Sequence, residues 1–206
     1  MINSSESNQL HNLIQTRHSI RRFLPKPVPK EQIKRILESA TWAPSTHNRQ
    51  PWRFVVLETK ETRMRFVEAM SSLFRQDLLA DGFPEIEVEK TVSRARQRIL
   101  DAPVAILICL DTSLGDPYSD QRRQYAEFLM GVQSVAMAGS TMLLAAHAAG
   151  LGGVWMCAPL FAPGSVKSVL DLPQEWEPQG VILLGYPAYE PQPRQRRLVD
   201  EVSRFV

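Results

Sequence analysis

Ala102-Pro103-Val104-Ala105-Ile106-Leu107-Ile108-Cys109-Leu110 is a continuous apolar run, and a run without polar alternation is the pattern of a strand buried on both faces. It marks the centre of a sheet. Gly180-Val181-Ile182-Leu183-Leu184-Gly185-Tyr186-Pro187 has the same character and reads as the last buried strand. Two shorter runs are further strands: Arg53-Phe54-Val55-Val56-Leu57, and Val154-Trp155-Met156-Cys157-Ala158-Pro159, which runs into a turn.

Helical periodicity fills the gaps between these runs. Leu10, Leu13 and Ile14 are helically spaced within Ser7 to Gln15, and Ile33, Ile36, Leu37 and Ala40 recur at i, i+3, i+4 and i+7 in a helix that Pro44 stops. Leu24-Pro25-Lys26-Pro27-Val28-Pro29 is extended, because three prolines remove donors and push their predecessors out of helical geometry. Glu61 to Leu100 is charged and helical, broken at Asp81-Gly82-Phe83-Pro84 into two helices expected to form a peripheral cover. A further short helix, Val166 to Leu170, is closed by Asp171-Leu172-Pro173. Helices flanking a small sheet, without strict strand-helix alternation, predict an α+β sandwich.

Phe128 to Val166 contains no Asp, Glu, Lys or Arg, and its first part, to Ala149, is rich in Ala, Met, Gly and Ser. Gln133, Ser134, Ser140, Thr141 and His147 interrupt it, which argues against a membrane span. The expectation is a buried helix whose small residues admit close approach of another helix, and a candidate subunit interface.

With 206 residues and 44% hydrophobic composition, the chain is read as a single domain over 1–206. Its 24 Lys+Arg against 22 Asp+Glu give a formal net charge of +2, too balanced for a protein whose main partner is a nucleic acid or an anionic membrane. Positive charge must therefore act locally. Met1-Ile2-Asn3-Ser4-Ser5-Glu6 shows no basic region followed by an apolar run, so the expected compartment is the cytoplasm. Cys109 and Cys157 sit in apolar segments and are expected to be buried free thiols, and the four His and two Cys have no metal-ligand spacing.

Two clusters carry chemistry. Arg17-His18-Ser19-Ile20-Arg21-Arg22-Phe23 offers guanidinium forks that match phosphate oxygens. Ala43-Pro44-Ser45-Thr46-His47-Asn48-Arg49-Gln50-Pro51-Trp52 offers amide and imidazole groups suited to a heterocycle edge. Pro191-Gln192-Pro193-Arg194-Gln195-Arg196-Arg197-Leu198 returns basic charge near the end. Together they describe a site for a phosphorylated aromatic cofactor. The competing readings are a solvated arm for Arg17, Arg21 and Arg22, a turn cap for Ser19, and an ordinary left-handed turn residue for Asn48. Cys157 reads as structural, Trp52 and Trp155 as core or dimer anchors, and Asp77 as a surface carboxylate.

In order, the Arg-His-Ser-Ile-Arg-Arg-Phe cluster, the Ala-Pro-Ser-x-x-Asn-x-Gln-Pro-Trp-x-Phe loop, Gly150-Leu151-Gly152-Gly153 before a strand, and Leu184-Gly185-Tyr186-Pro187 before a basic tail resemble the FMN-dependent nitroreductase family. Leu78-Leu79-Ala80-Asp81-Gly82, Asp101-Ala102-Pro103 and the stretch Asp171 to Pro178 are similar to the flavin-binding domain fused to the glutamyl ligase of deazaflavin-coenzyme biosynthesis, although no ligase domain is present. The resemblance implies an interlocked homodimer, its central sheet mainly antiparallel and flanked by helices, with FMN at the interface and both chains contributing. Carried over by position, Arg17, His18, Ser19 and Arg21 would hold the phosphate and ribityl chain, and Asn48 the isoalloxazine edge. Arg194 or Arg197 would complete the phosphate pocket. Met156, Cys157 and Ala158 would lie over the flavin and present backbone amides to N5 and O4. The implied activity is hydride transfer from NAD(P)H through FMN to a small electron-poor acceptor such as a nitroaromatic or quinone, with no side-chain acid or base required. The alternative is a biosynthetic reductase acting on a flavin- or deazaflavin-like substrate. From the flavin-fragmenting branch the sequence departs at His47-Asn48-Arg49.

Overall fold

The computed structural model describes residues 3–206; Met1 and Ile2, the first residues of the stretch examined for a leader, lie outside it. Four antiparallel strands, β1 (Trp52–Val56), β2 (Val104–Asp111), β3 (Gly152–Met156) and β4 (Trp176–Gly185), form one sheet in the order β1-β2-β4-β3. All eight residues of β2 are buried, and β4 pairs with it from Val104↔Leu184 to Asp111↔Trp176. The two apolar runs are thus the two central strands. β4 starts earlier than its apolar run because Trp176–Gln179 also joins the ladder. Pro178 lies there, opposite Cys109, and the register shifts between Ile108 and Cys109, a bulge that accommodates a residue without an N–H.

Helices cover both faces of the sheet. Over one lie α3 (Lys60–Ala80), α4 (Glu85–Leu100) and α6 (Pro163–Leu170), which pack Phe66, Val67, Ile99 and Val166 against Leu107, Val181 and Leu183. α3 therefore builds the core as well as covering it: Phe66 is fully buried. Arg63 of α3 donates to the carbonyls of Leu57, Ala102 and Pro103, pinning the helix to the ends of two strands. Over the other face lie α2 (Lys30–Thr41) and the 28-residue α5 (Gln121–Ala148), with Ile36, Ala40, Met142 and Ala146 packed against Ile106, Ile182 and Leu184. Trp155 of β3 is gripped between Gly139 of α5 and Gly180 of β4, so it is a core residue.

α5 begins at Gln121, capped by Asp120, before the uncharged stretch starts, and carries the buried carboxylate Glu127. It is long and apolar enough to cross a membrane by length and composition, yet Ser134, Val135, Ala138, Gly139, Met142 and Ala146 face the sheet. Tyr125, Phe128, Leu129 and Met137 remain exposed. Two further helices complete the described chain: α1 (Ser4–Thr16), closed by an Asn3–Glu6 capping box, and the short α7 (Val199–Val202).

Candidate functional site

Arg17 to Leu24 runs extended along the β3 edge of the sheet. Ser19 bridges Gly153, Ile20 N–H donates to the Gly153 carbonyl at 3.0 Å, and Leu24 N–H donates to the Tyr186 carbonyl at 2.9 Å. Gly152 is required for this approach, since a Cβ there would meet Ile20 Cβ at 2.6 Å. Buried Ile20 anchors the segment and leaves its polar neighbours free to face outward. Arg17 and His18 enter a small pocket with His147 of α5, whose Nε2 lies 3.0 Å from Thr16 Oγ1. Burial, and then the neighbouring Arg17 and His18, push the His147 pKa down. Of these causes, only the positive charge contributed by Arg17 and His18 favours an anion, since burial disfavours charge of either sign. Arg21 turns away from this pocket into a separate cleft with Arg22.

Asn48 lies in a different place. Thr46–Asn48 forms a short 3-10 turn between α2 and β1, and His47, Asn48 and Gln50 have φ of 51°, 53° and 52°. Three non-glycine residues in the left-handed region each cost of order 1 kcal/mol and persist only where the surroundings over-determine them. The surroundings do so here: Thr46 N–H donates to Ser134 Oγ at 3.2 Å, Gln50 N–H donates to Ser45 Oγ at 3.0 Å, and Arg49 clasps both Glu127 and Asp116. Glu127 is buried, and its Oε2 has no partner. Held this way, Asn48 stays exposed, its Oδ1 accepting a long 3.5 Å hydrogen bond from Gln50 Nε2.

Along α5, His147 beside the arginine cluster and Ser134 beside the Asn48 loop are thirteen residues apart, about 20 Å of helix. Within one chain, the two clusters also flank opposite edges of the sheet. Met156 ends β3 on the arginine side, and Cys157 and Ala158 lead into a 3-10 turn, Ala158–Phe161. Cys157 is exposed, not buried as its apolar neighbours suggested, because the strand has ended before it. Cys109 is buried, and burial pushes its thiol up to about 12. Arg194 and Arg197 lie exposed in the irregular tail, and neither lines the pocket of Arg17 and His18. Among the described residues no cluster of His, Cys, Asp or Glu could hold a metal.

This arrangement is matched, over residues 14–186, by the family model described as "Nitroreductase family". The chain belongs to the nitroreductase family. Nitroreductase-family proteins are flavin-dependent oxidoreductases with this mixed helical and antiparallel-sheet fold. A relative from Methanothermobacter thermautotrophicus, named a putative NADH dehydrogenase/NAD(P)H nitroreductase, is 32% identical over 185 residues, 88% of this chain and 78% of that protein. A 5,6-dimethylbenzimidazole synthase from Rhodospirillum rubrum is 30% identical over 197 residues, 92% of this chain and 87% of that one. In fold, the chain is similar to a BluB-like flavoprotein from Clostridium difficile 630, with a TM-score of 0.81 and 22% identity over 96% of this chain and 98% of that one.

Arg17 and His18 offer N–H donors to one pocket that no carboxylate lines, which fits a flavin phosphate; His147 lines the same pocket with its Nε2 engaged by Thr16. His147 was not singled out from the sequence, where it is one of several polar residues inside a long uncharged stretch. Nor were Arg49 and Glu127, whose pairing spans 78 positions. The one sequence signal available was a lone Glu just ahead of the uncharged run.

Proposed function

We propose that this nitroreductase-family oxidoreductase is a cytoplasmic, single-domain (1–206) FMN enzyme that works as a homodimer, passing hydride from NAD(P)H to a small electron-poor acceptor such as a nitroaromatic or quinone. The observation that carries this reading is the separation of the two clusters by about 20 Å of α5 in one chain. A second copy packed on the exposed Tyr125, Phe128, Leu129 and Met137 face of α5 would bring the Arg17 cluster of one chain to the Asn48 loop of the other.

In that site Arg17, His18 and Ser19, with a tail arginine, Arg194 or Arg197, would hold the phosphate and ribityl chain, while Arg21, expected there from the sequence, lines the neighbouring cleft instead. Asn48 would hydrogen-bond the polar ring edge, and the backbone amides of Met156, Cys157 and Ala158 would donate to N5 and O4. A flavin bound there would supply reversible two-electron chemistry between a nicotinamide donor and the acceptor. The protein's share is orientation, a fixed loop and counter-charge, which explains a site with no nucleophile or paired carboxylates.

Mixing two inactive variants tests this directly. Arg17→Ala and Asn48→Ala proteins are each expected to lose flavin, and co-refolded mixtures to regain it in those mixed dimers whose intact Arg17 and Asn48 meet across the interface. Mixtures that stay as colourless as the separate variants contradict the shared site.

The relative named 5,6-dimethylbenzimidazole synthase favours a second reading. Dimethylbenzimidazole contains the dimethylbenzene ring and two nitrogens found in isoalloxazine, so a flavin could be substrate as well as cofactor. Incubation with reduced FMN and oxygen, followed by a search for that product, decides between a consumed and a recycled flavin.

A further inference from the structure

α4 carries Lys90, Arg94 and Arg98 at i, i+4 and i+8, a stripe of like charge on one helix face. Such spacing of like charges is unfavourable for an isolated helix. The stripe faces Arg21 and Arg22 across an open cleft of about 920 Å³, floored by Phe23 and walled by Tyr189, with Arg22 stacked 4.9 Å from the Tyr189 ring centroid. Asp101 is the one carboxylate lining it. Five cations against one carboxylate exceed the +2 net charge of the entire chain, so the excess positive charge is concentrated here.

Two other arginines of α3 and α4 do find carboxylates. Arg75 pairs with Glu85 and Glu89, and Arg96 pairs with Glu68. None of the five cleft cations forms an ion pair among the described residues. An array of converging, uncompensated guanidinium and ammonium groups suits a ligand with several phosphate oxygens. Tyr189 adds an aromatic wall against which a base can lie.

We propose that this cleft binds a nucleotide carrying two or more phosphate groups, specifically the phosphate-bearing adenosine end of the dinucleotide reductant. The identity of the nucleotide as reductant rests on the flavin-oxidoreductase reading; the phosphate chemistry of the cleft does not. Arg21 and Arg22 from the extended segment and Lys90, Arg94 and Arg98 from α4 line the cleft together. An additional 2′-phosphate on the dinucleotide would meet more counter-charge than a plain ribose hydroxyl.

The test is calorimetric titration of the protein as purified with inorganic pyrophosphate, NADP+ and NAD+ in turn, at about 0.05 M salt, where exposed charges are weakly screened. The same titrations are run on a Lys90→Ala/Arg94→Ala double variant and on Arg35→Ala, which removes an exposed cation of α2 remote from the cleft. Pyrophosphate and NADP+ are expected to bind wild type and Arg35→Ala equally, and the double variant roughly tenfold or more weakly. NADP+ is expected to bind more tightly than NAD+. Absence of binding to wild type, or equal affinity in the double variant, overturns the site. Pyrophosphate binding without dinucleotide binding overturns the nucleotide assignment. A flavin-loaded protein that fails these titrations sinks this proposal alone, whereas a protein that cannot be reconstituted with FMN yet passes them sinks the flavin reading and keeps the cleft.

Discussion

Arg49, placed between the left-handed Asn48 and Gln50, reaches across to the buried Glu127 of α5 and also holds Asp116. The ion pair fixes a loop whose backbone would otherwise relax toward ordinary geometry. Glu127 already has one unpartnered oxygen. Removing Arg49 leaves that buried carboxylate with the Asp116 N–H but no counter-charge, and Arg49→Ala is expected to lower the midpoint of urea denaturation. Glu127→Gln, which keeps the shape and deletes the charge, is expected to be milder, and Arg49→Lys to recover flavin retention only in part. A neutral effect of Arg49→Ala on both stability and flavin content contradicts the clasp.

Trp155 fills the space between Gly139 and Gly180 so closely that a Cβ on either would lie 2.1 Å or 2.5 Å from the indole. Gly180→Ala is therefore expected to destabilise by about 1–3 kcal/mol through overpacking. Trp155→Phe in the same background should return part of that loss, because the smaller ring vacates the contact. Thermal denaturation of the two single variants and the pair measures it.

The sheet was legible because its centre is two uninterrupted apolar runs, and such runs have few other homes in a chain of this length. The start of β4 was not, since Pro178 reads as a strand breaker until the bulge opposite Cys109 is seen. The extended course of Arg17 to Phe23 was legible from its place between a short helix and three prolines. Pairwise relations were invisible: His147 meets Thr16 across 131 positions, and Glu127 meets Arg49 across 78. Local pattern carries burial and period, while an ion pair between distant elements leaves no local mark. The exposure of Cys157 escaped for a related reason, since apolar neighbours continue past the residue at which the strand ends.

His147 gives the chain a pH signature. Its pKa lies below the ordinary 6.5 because of burial and then the nearby Arg17 and His18. Below pH 6.5 the unfolded chain takes up this proton more readily than the folded one, so stability falls as pH drops through the folded pKa. His147→Gln should lessen the loss of melting temperature between about pH 7.5 and about pH 5.5. A bound phosphate monoester should lessen it too, by offsetting Arg17 and His18. Identical acid-side losses in wild type and variant contradict this origin.

The two thiols should separate cleanly. Cys157 is exposed, and Cys109 is buried with its thiol pushed up to about 12. At neutral pH a maleimide is expected to label Cys157 in the native protein and Cys109 only after denaturation, as read by peptide mass. If FMN lies against Met156–Ala158, adding it should slow the native labelling. Rapid native labelling of Cys109 contradicts the burial of β2.

The account stands or falls on whether the Arg17 pocket and the Asn48 loop hold a redox-active flavin. The most direct measurement is the visible spectrum of the purified protein, reconstituted with FMN if needed, followed anaerobically as NADPH or NADH is added. The expected result is a yellow protein whose flavin absorbance bleaches on addition and returns with a quinone or nitroaromatic. A protein that stays colourless after reconstitution, or a bound flavin that neither nicotinamide reduces, contradicts it.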